Sequence, residues 1–291
     1  MDSFRRLQKA YAYDDPLAHV RVPLVDEYLM PLVHGRLQNH IHELVSTVIL
    51  YQIVFVLARL YLRFLNPSLN KTISPKTRVD FSIRIVSMFQ SIVILLAIMP
   101  LFCNEHLAQH RVFAVSPYAG MVSAAAAGYF VWDSLISLAY VRLFGIGYLI
   151  HGVVSSAMFL IGASGYIHFY APHFLLFELS TPFLNVRWFA LKFPDRFGPR
   201  IALVNNAILI LIFFFVRIAW GWYYAARLGM DFYSVRNDPR SNTLFSLTIF
   251  SGNVVLDVLN VYWFSKMLTV AITTLKKMFK KDVDETKLKL I

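Results

Sequence analysis

The chain has 291 residues, of which 57% are hydrophobic, 15% aromatic and only 15% charged, and its mean hydropathy is +0.55. Soluble domains carry roughly 25% charged residues, so this composition argues against an ordinary soluble domain and indicates a membrane protein. The formal net charge of +11 includes a lysine cluster after the last apolar segment, which fits a juxtamembrane basic run and predicts no nucleic-acid partner.

In chain order, residues 1–42 are mixed polar and apolar, and they are predicted to form an interfacial helix or a solvated arm packed on the bundle. Seven windows long enough to cross a bilayer follow. They lie at 43–65, 81–102, 118–141, 145–164, 168–190, 201–226 and 245–270. Backbone polar groups must be satisfied within lipid, so these windows are helices. The predicted fold is an all-α polytopic membrane domain over 43–275, followed by a basic cytosolic tail at 276–291.

The window 168–190 contains Pro172 and Pro182, and whether it spans or re-enters stays open. With seven spans, the loops on the C-terminal side carry the excess of Lys and Arg, which predicts a cytosolic C-terminus. The terminal "KLKLI" places Lys287 and Lys289 as in a dilysine retrieval signal. These features predict an integral membrane protein of the endoplasmic reticulum.

Five consecutive windows each contain at least one ionisable side chain away from the window ends. A charge at the bilayer centre costs about 2.5–3.5 kcal/mol on insertion scales, so such groups normally face a protein interior. We therefore expect them to converge on a shared polar chamber. They are Asp133, His151, Glu178, Arg217 and Asp257.

Helical spacing adds polar side chains to the same predicted faces. They are Ser155, Ser180, Thr181, Asn185, Asn206 and Asn260. Simpler interpretations remain open. Arg217 could form a structural ion pair with Glu178 or Asp257. Asp257 could form hydrogen bonds between helices, and Asp133 could cap a helix at the membrane interface. His151 stands apart because Gly152 beside it leaves the backbone open to a ligand.

No metal site is expected from residue spacing. There is no H-E-x-x-H motif, and the five-residue spacing of His168 and His173 does not place two imidazoles on one helical face. Those two histidines are expected at a headgroup boundary. The single Cys103 excludes an internal disulfide and a C-x-x-C site.

Four runs resemble the TLC-domain family, and in particular the subgroup named TLC domain-containing protein 4. They are "GYFVWDSL" at 128–135, "LIHGVVS" at 149–155, "LLFELSTPFLNVRWF" at 175–189 and "LNVYWFSKM" at 259–267. The family also contains the ceramide synthases, and the resemblance implies a barrel of six helices around a central lipid cavity, with one further helix alongside.

The ceramide synthases carry a His-His pair and the acidic signature H-D-x-S-D-x-x-L-E-x-x-K. On this chain the first histidine falls on His151 and the second on Gly152. The first aspartate falls on Glu178, the serine on Ser180, the second aspartate on Thr181, the leucine on Leu184 and the glutamate on Asn185. One histidine and one carboxylate are therefore kept, while the second histidine and two acidic positions are absent, which argues against ceramide synthesis as such.

The resemblance implies an endoplasmic-reticulum protein that acts on acyl lipids, as an acyltransferase with acyl-CoA as co-substrate and no other cofactor. Under this hypothesis the catalytic residues are His151, Glu178 and Asp133. The expected substrate-binding residues are Arg217, Ser155, Ser180, Thr181, Asn185, Asn206, Asp257 and Asn260. The alternatives are a non-catalytic protein that binds or moves lipids or regulates membrane composition, and a cargo adaptor. Membrane lipids are the expected partners, and an oligomer is left open.

Overall fold

The structure, a computed structural model, describes residues 14–288, with side chains of the last helix described to Thr274 and at Lys276. Within this range it is α-helical and contains no strand. The main helices are α1 (Ile41–Leu60), α2 (Pro75–Ile98), α3 (Pro117–Ala139), α4 (Ile146–Ala163), α5 (Thr181–Lys192), α6 (Pro194–Phe213), α7 (Trp220–Ser234) and α8 (Thr243–Leu288). The prediction of an all-α polytopic protein is confirmed.

Short polar signals set where the long helices begin. Ser74 precedes α2 and its hydroxyl accepts a hydrogen bond from the Thr77 N–H at 3.1 Å, while proline occupies the first helical position. Helix α3 starts in the same way, after Ser116. Serine at the N-cap satisfies a free N–H, and proline at the first position has no N–H to leave unpaired. The Ser-Pro pairs therefore fix both helix starts.

Six helical stretches of the described chain are long and apolar enough to cross a membrane. They are Gly35–Leu65, Pro75–Cys103, Pro117–Ala139, Ile146–Ala163, Pro194–Ser234 and Thr243–Thr274. Each coincides with one of the predicted windows. The predicted window at 168–190 has no counterpart among these six stretches.

That fifth segment is broken into an α-helix at Tyr170–Leu175, a 3-10 helix at Leu176–Ser180, and α5. Tyr170 donates a hydrogen bond to Asp231, near the end of α7. Trp188 donates one to Asp80, near the start of α2, at 2.6 Å. These two anchor points lie at opposite ends of the bundle, so the segment crosses the bundle as its neighbours do.

The crossings form a closed arrangement around a central cavity. The cavity is lined by α2, α3, α4, the fifth segment, the α6–α7 crossing and α8, and by no residue of α1. Helix α1 instead packs against α2 and α3 from outside. Six elements around a cavity with one helix alongside is the arrangement that the sequence resemblance implies.

Helix α1 lies unusually close to α3. A Cβ atom on Gly128 would lie 2.5 Å from the backbone oxygen of Leu44 and 2.9 Å from Cβ of Thr47. Ala124 and Ala127 are fully buried in the same contact. Small residues permit such close approach, which is how membrane helices gain packing without a hydrophobic driving force.

The two histidines expected at a headgroup boundary, His168 and His173, are buried within the protein. His173 bonds the backbone oxygen of Phe169 at 2.8 Å. His168 lies between α4 and the fifth segment, where Nδ1 accepts the Ser116 N–H at 3.1 Å and Nε2 bonds the oxygen of Gly162 at 2.8 Å. Burial lowers the pKa of His168 to about 4, so this imidazole is neutral and holds two chain segments together.

We expect acid to destabilise the protein through His168. Its pKa is lower in the folded chain than its ordinary value of 6.5, so the stabilisation is complete above pH 6.5 and is lost as pH falls towards 4. At 1.36 kcal/mol per pKa unit, the loss amounts to about 2–3 kcal/mol in the free energy of unfolding. Thermal unfolding of detergent-solubilised protein between pH 7.5 and 4 measures it.

The control for this acid sensitivity is His19, which is exposed. His168→Gln is expected to be less stable at pH 7 and to show a shallower loss towards pH 4, whereas His19→Gln keeps the wild-type profile. An unchanged pH profile in His168→Gln would assign the acid sensitivity to other groups.

Candidate functional site

A cavity of about 370 Å³ lies between the six surrounding elements. Its polar lining residues are Arg84, Ser87, Asp133, His151, Glu178, Thr181, Arg187, Arg217 and Lys266, together with Tyr129, Tyr148, Trp188 and Trp263. Apolar walls are supplied by Phe130, Leu184, Phe213 and Met267, among others. A smaller cavity of about 30 Å³ shares His151, Glu178 and Arg217 with it and extends along Ser155. The predicted polar chamber therefore exists.

His151 projects from α4 into this cavity between two aromatic rings. Its ring centroid lies 5.7 Å from that of Phe130 and 5.6 Å from that of Trp263, both in edge-on geometry. The Nδ1 atom is buried and has no hydrogen-bond partner within the described chain. An unpaired buried nitrogen costs about 1–3 kcal/mol, so a bound ligand that pairs with it would regain this energy.

Arg217 lies opposite, in a π-helical turn at Phe214–Ala219, and is 5% exposed. Its guanidinium is surrounded by protein acceptors: Ser180 Oγ at 2.9 Å, Phe177 O at 3.2 Å, Asn260 Oδ1 at 3.3 Å, Thr181 Oγ1 at 3.4 Å and Glu178 Oε1 at 3.7 Å. Of the two ion pairs that the sequence allowed, with Glu178 or with Asp257, Arg217 forms the one with Glu178. Arg217 thus ties the α6–α7 crossing to the fifth segment and to α8.

Asn185 connects the fifth segment to α2. It is fully buried, accepts a hydrogen bond from Arg84 at 3.4 Å and donates one to Ser87 at 3.2 Å. Arg84 also pairs with Asp80 at 3.3 Å. Asn185 therefore orients the cavity-lining Arg84 and does not line the cavity itself.

Gly152 occupies the position onto which the second histidine of the ceramide synthases falls. A Cβ atom there would lie 2.6 Å from Ser134 Oγ and 3.2 Å from Asp133 Oδ2. Helix α3 therefore packs directly on this glycine and leaves no space for an imidazole. The single cavity histidine is a consequence of how α3 and α4 pack.

Five expected members of the chamber line neither cavity and require correction: Ser180, Asn185, Asn206, Asp257 and Asn260. Ser180 and Asn260 accept hydrogen bonds from Arg217 instead. Asn206 lines neither cavity, because the π-helical turn that contains Arg217 changes the rotation per residue and takes the two side chains onto different faces. Asp257 is only half-buried and faces Gly221, while Asn260, three residues later, reaches Arg217. Nearby Asn205 is buried and bonds the oxygen of Phe183.

Three cations at the outer part of the cavity were not predicted as site residues. Arg84, Arg187 and Lys266 line it on the side where α2 begins and α5 ends. Within the described chain, neither Arg187 nor Lys266 forms an ion pair, so this side of the cavity is electropositive. The available signal was that Arg84 and Lys266 fall inside apolar windows.

These features define a polytopic helical membrane protein with an internal cavity that is apolar along its walls, charged at its centre and basic on one side. The family model described as the TLC domain matches residues 80–269. The chain belongs to the TLC-domain family.

Named relatives agree with this assignment. The chain is 41% identical over 206 residues to an uncharacterized TLC domain-containing protein of Saccharomyces cerevisiae, covering 67% of this chain and 64% of that protein. It is 35% identical to a similar Schizosaccharomyces pombe protein (80% and 79% covered) and 30% identical to TLC domain-containing protein 4 of Homo sapiens (69% and 77% covered). The predicted subgroup is confirmed. No solved structure matches the chain.

Proposed function

We propose that the protein acts on acyl lipids in the membrane of the endoplasmic reticulum, as an acyltransferase that uses acyl-CoA and a single cavity histidine. The observation that carries the proposal is the unpaired, buried Nδ1 of His151 inside a cavity shared with Glu178 and Arg217. A buried nitrogen without a hydrogen-bond partner lowers the stability of the fold, and a ligand that reacts at His151 would supply the missing partner.

The cavity suits an amphiphile. Its aromatic and aliphatic walls offer an apolar surface for an acyl chain, and its basic side offers Arg84, Arg187 and Lys266 for a phosphate. Arg217 is already engaged by protein acceptors, so the outer cations are better placed than Arg217 to bind a headgroup or the phosphates of acyl-CoA.

The proposed step is transfer of an acyl group from the thioester to a lipid hydroxyl. His151 takes the hydroxyl proton while the oxygen attacks the thioester carbonyl; the C–S bond breaks, and the leaving thiolate takes the proton from His151. The carboxylates of Glu178 and Asp133 line the same cavity and would stabilise the transient imidazolium.

The test is turnover by purified protein supplied with labelled acyl-CoA and a panel of lipid acceptors. Product from wild-type protein that disappears in His151→Ala supports acyl transfer. Equal product from both proteins removes His151 from the mechanism and with it this proposal.

A second candidate is a non-catalytic protein that binds or moves lipid. The packing of Gly152 against Ser134 favours it, because the family's second histidine has no space here. Native mass spectrometry separates the two: a co-purifying lipid that survives His151→Ala, with no acyl transfer by wild type, selects this candidate.

The proposed location depends on the tail. Lys287 is helical, and Lys289 lies outside the described residues. We expect the double change Lys287→Ser and Lys289→Ser to release the protein from the endoplasmic reticulum, because the receptor reads both lysines. Fluorescence imaging of the full chain measures this, with Lys276→Ser as the control. An unchanged location in the double variant would contradict the retrieval signal.

A further inference from the structure

Three metal-ligating groups converge where α1 begins, far along the chain from the cavity residues. His40 Nδ1 lies 3.6 Å from Asp15 Oδ2 and 2.8 Å from Glu43 Oε2. One donor atom from each of the three side chains lies within 4.8 Å of the others. His40 and Glu43 are three residues apart on consecutive helical turns, and Asp15 comes from the preceding segment.

The cluster is buried and lacks positive charge. The side chains of His40, Asp15 and Glu43 are 8%, 4% and 1% exposed. The carboxyl groups of Asp15 and Glu43 face one imidazole, and within the described chain no Lys or Arg forms an ion pair with either of them. Buried charges are normally paired or bound to metal, since leaving them unpaired is costly.

One carboxylate oxygen of Glu43 is left without a partner. Its Oε1 is buried and makes no hydrogen bond within the described chain. His42 Nε2 lies 3.6 Å from this oxygen but bonds the backbone oxygen of Leu17 at 3.1 Å. A cation at the cluster would satisfy this oxygen, which no protein donor does.

The spacing is close to that of a metal site. Ligands about 2.0–2.2 Å from a tetrahedral metal lie roughly 3.4 Å from one another. The His40–Asp15 separation already fits, and the His40–Glu43 pair has to open by only about 0.6 Å. A Cβ on Gly120 would lie 2.3 Å from His40 Nε2, so α3 fixes the ring with Nδ1 turned towards the acids.

We propose that His40, Asp15 and Glu43 bind a divalent transition-metal cation, with Zn²⁺ the best match to one imidazole and two carboxylates. Water can complete the coordination, because a cavity of about 400 Å³ lined by Asp15 and His40 adjoins the cluster and provides entry. The bound cation links the segment that contains Asp15 to the start of α1. Residue spacing predicted no metal site, since Asp15 is brought in by the fold alone.

The experiment uses the tag-free full chain in detergent, dialysed against chelator. Calorimetric titration with ZnCl₂ is expected to give one site per chain, Co²⁺ to give a visible ligand-field spectrum, and Zn²⁺ to raise the unfolding midpoint. Asp15→Asn and Glu43→Gln are each expected to weaken Zn²⁺ binding by at least about tenfold.

The matched controls are Asp26→Asn, which lines the same cavity outside the cluster, and His34→Gln, which is exposed; both keep wild-type Zn²⁺ affinity. If Glu43→Gln fails to fold by circular dichroism, Asp15→Asn in the segment before α1 decides the outcome. Wild-type protein without a stoichiometric Zn²⁺ site, or Asp15→Asn with wild-type affinity, overturns the proposal.

Discussion

Replacing Arg217 with Met is expected to lower the free energy of unfolding by about 3–5 kcal/mol, the usual cost of removing one partner of a buried ion pair. The change leaves Glu178, which is 6% exposed, without its cation. It also removes the donors for Ser180 and Asn260. The fifth segment contains a 3-10 stretch at this point, so the contacts from Arg217 are a main link holding it against α7 and α8.

Thermal unfolding in detergent measures this loss, which corresponds to a decrease of roughly 10 °C in the midpoint for a chain of this size. The matched control is Arg227→Met on α7, whose guanidinium bonds only the hydroxyl of Tyr223 among the described hydrogen bonds. Adding Glu178→Gln to Arg217→Met should recover part of the loss, because the uncompensated charge is then gone. A wild-type midpoint for Arg217→Met would show that the pair contributes nothing to the fold.

The fold was largely predictable because lipid imposes a simple rule on sequence: windows of apolar residues become helices. The cost of burying charge then predicted that His151, Glu178 and Arg217 share an interior. Both arguments need only sequence position and hydropathy. The structure agrees with them for six of the seven windows and for four of the five ionisable side chains, Asp257 being the exception.

Rotation of individual helices was less predictable. Extrapolating over eleven residues from Asn206 to Arg217 assumed a regular helix, but the π turn at Phe214–Ala219 breaks that regularity. The residue types of Phe214–Ala219 do not identify a π-helical turn. Over three or four residues, as from Thr181 to Asn185, helical spacing correctly placed both side chains in the interior, although only Thr181 of the two lines the cavity.

Charges near helix ends were ambiguous for a different reason. Arg84 and Arg187 lie near helix ends, where basic residues indicate topology, yet both line the cavity. A cation within a turn of the membrane boundary satisfies the positive-inside rule and a binding site equally well. Only the three-dimensional position of the fifth segment, anchored through Asn185 to Arg84, separates these roles.

The second large effect concerns activity. Changing His151 to Asn is expected to reduce acyl transfer by about 10²–10⁴-fold, the usual contribution of a general base. Asn keeps a polar atom near the position of Nδ1 and fills part of the ring's space between Phe130 and Trp263. Because Nδ1 has no protein partner to lose, the unfolding midpoint should stay close to that of wild type.

Initial rates with labelled acyl-CoA measure the effect, alongside lipid binding by native mass spectrometry. His110→Asn, an exposed histidine near the opposite end of the bundle from the basic side of the cavity, should retain the wild-type rate. A histidine with a purely structural role predicts the reverse pattern for His151→Asn: a lower unfolding midpoint with the rate per folded molecule unchanged. A catalytic role for His151 changes the rate, whereas a structural role changes the unfolding midpoint. Measuring both quantities therefore decides whether the cavity catalyses acyl transfer or only binds lipid.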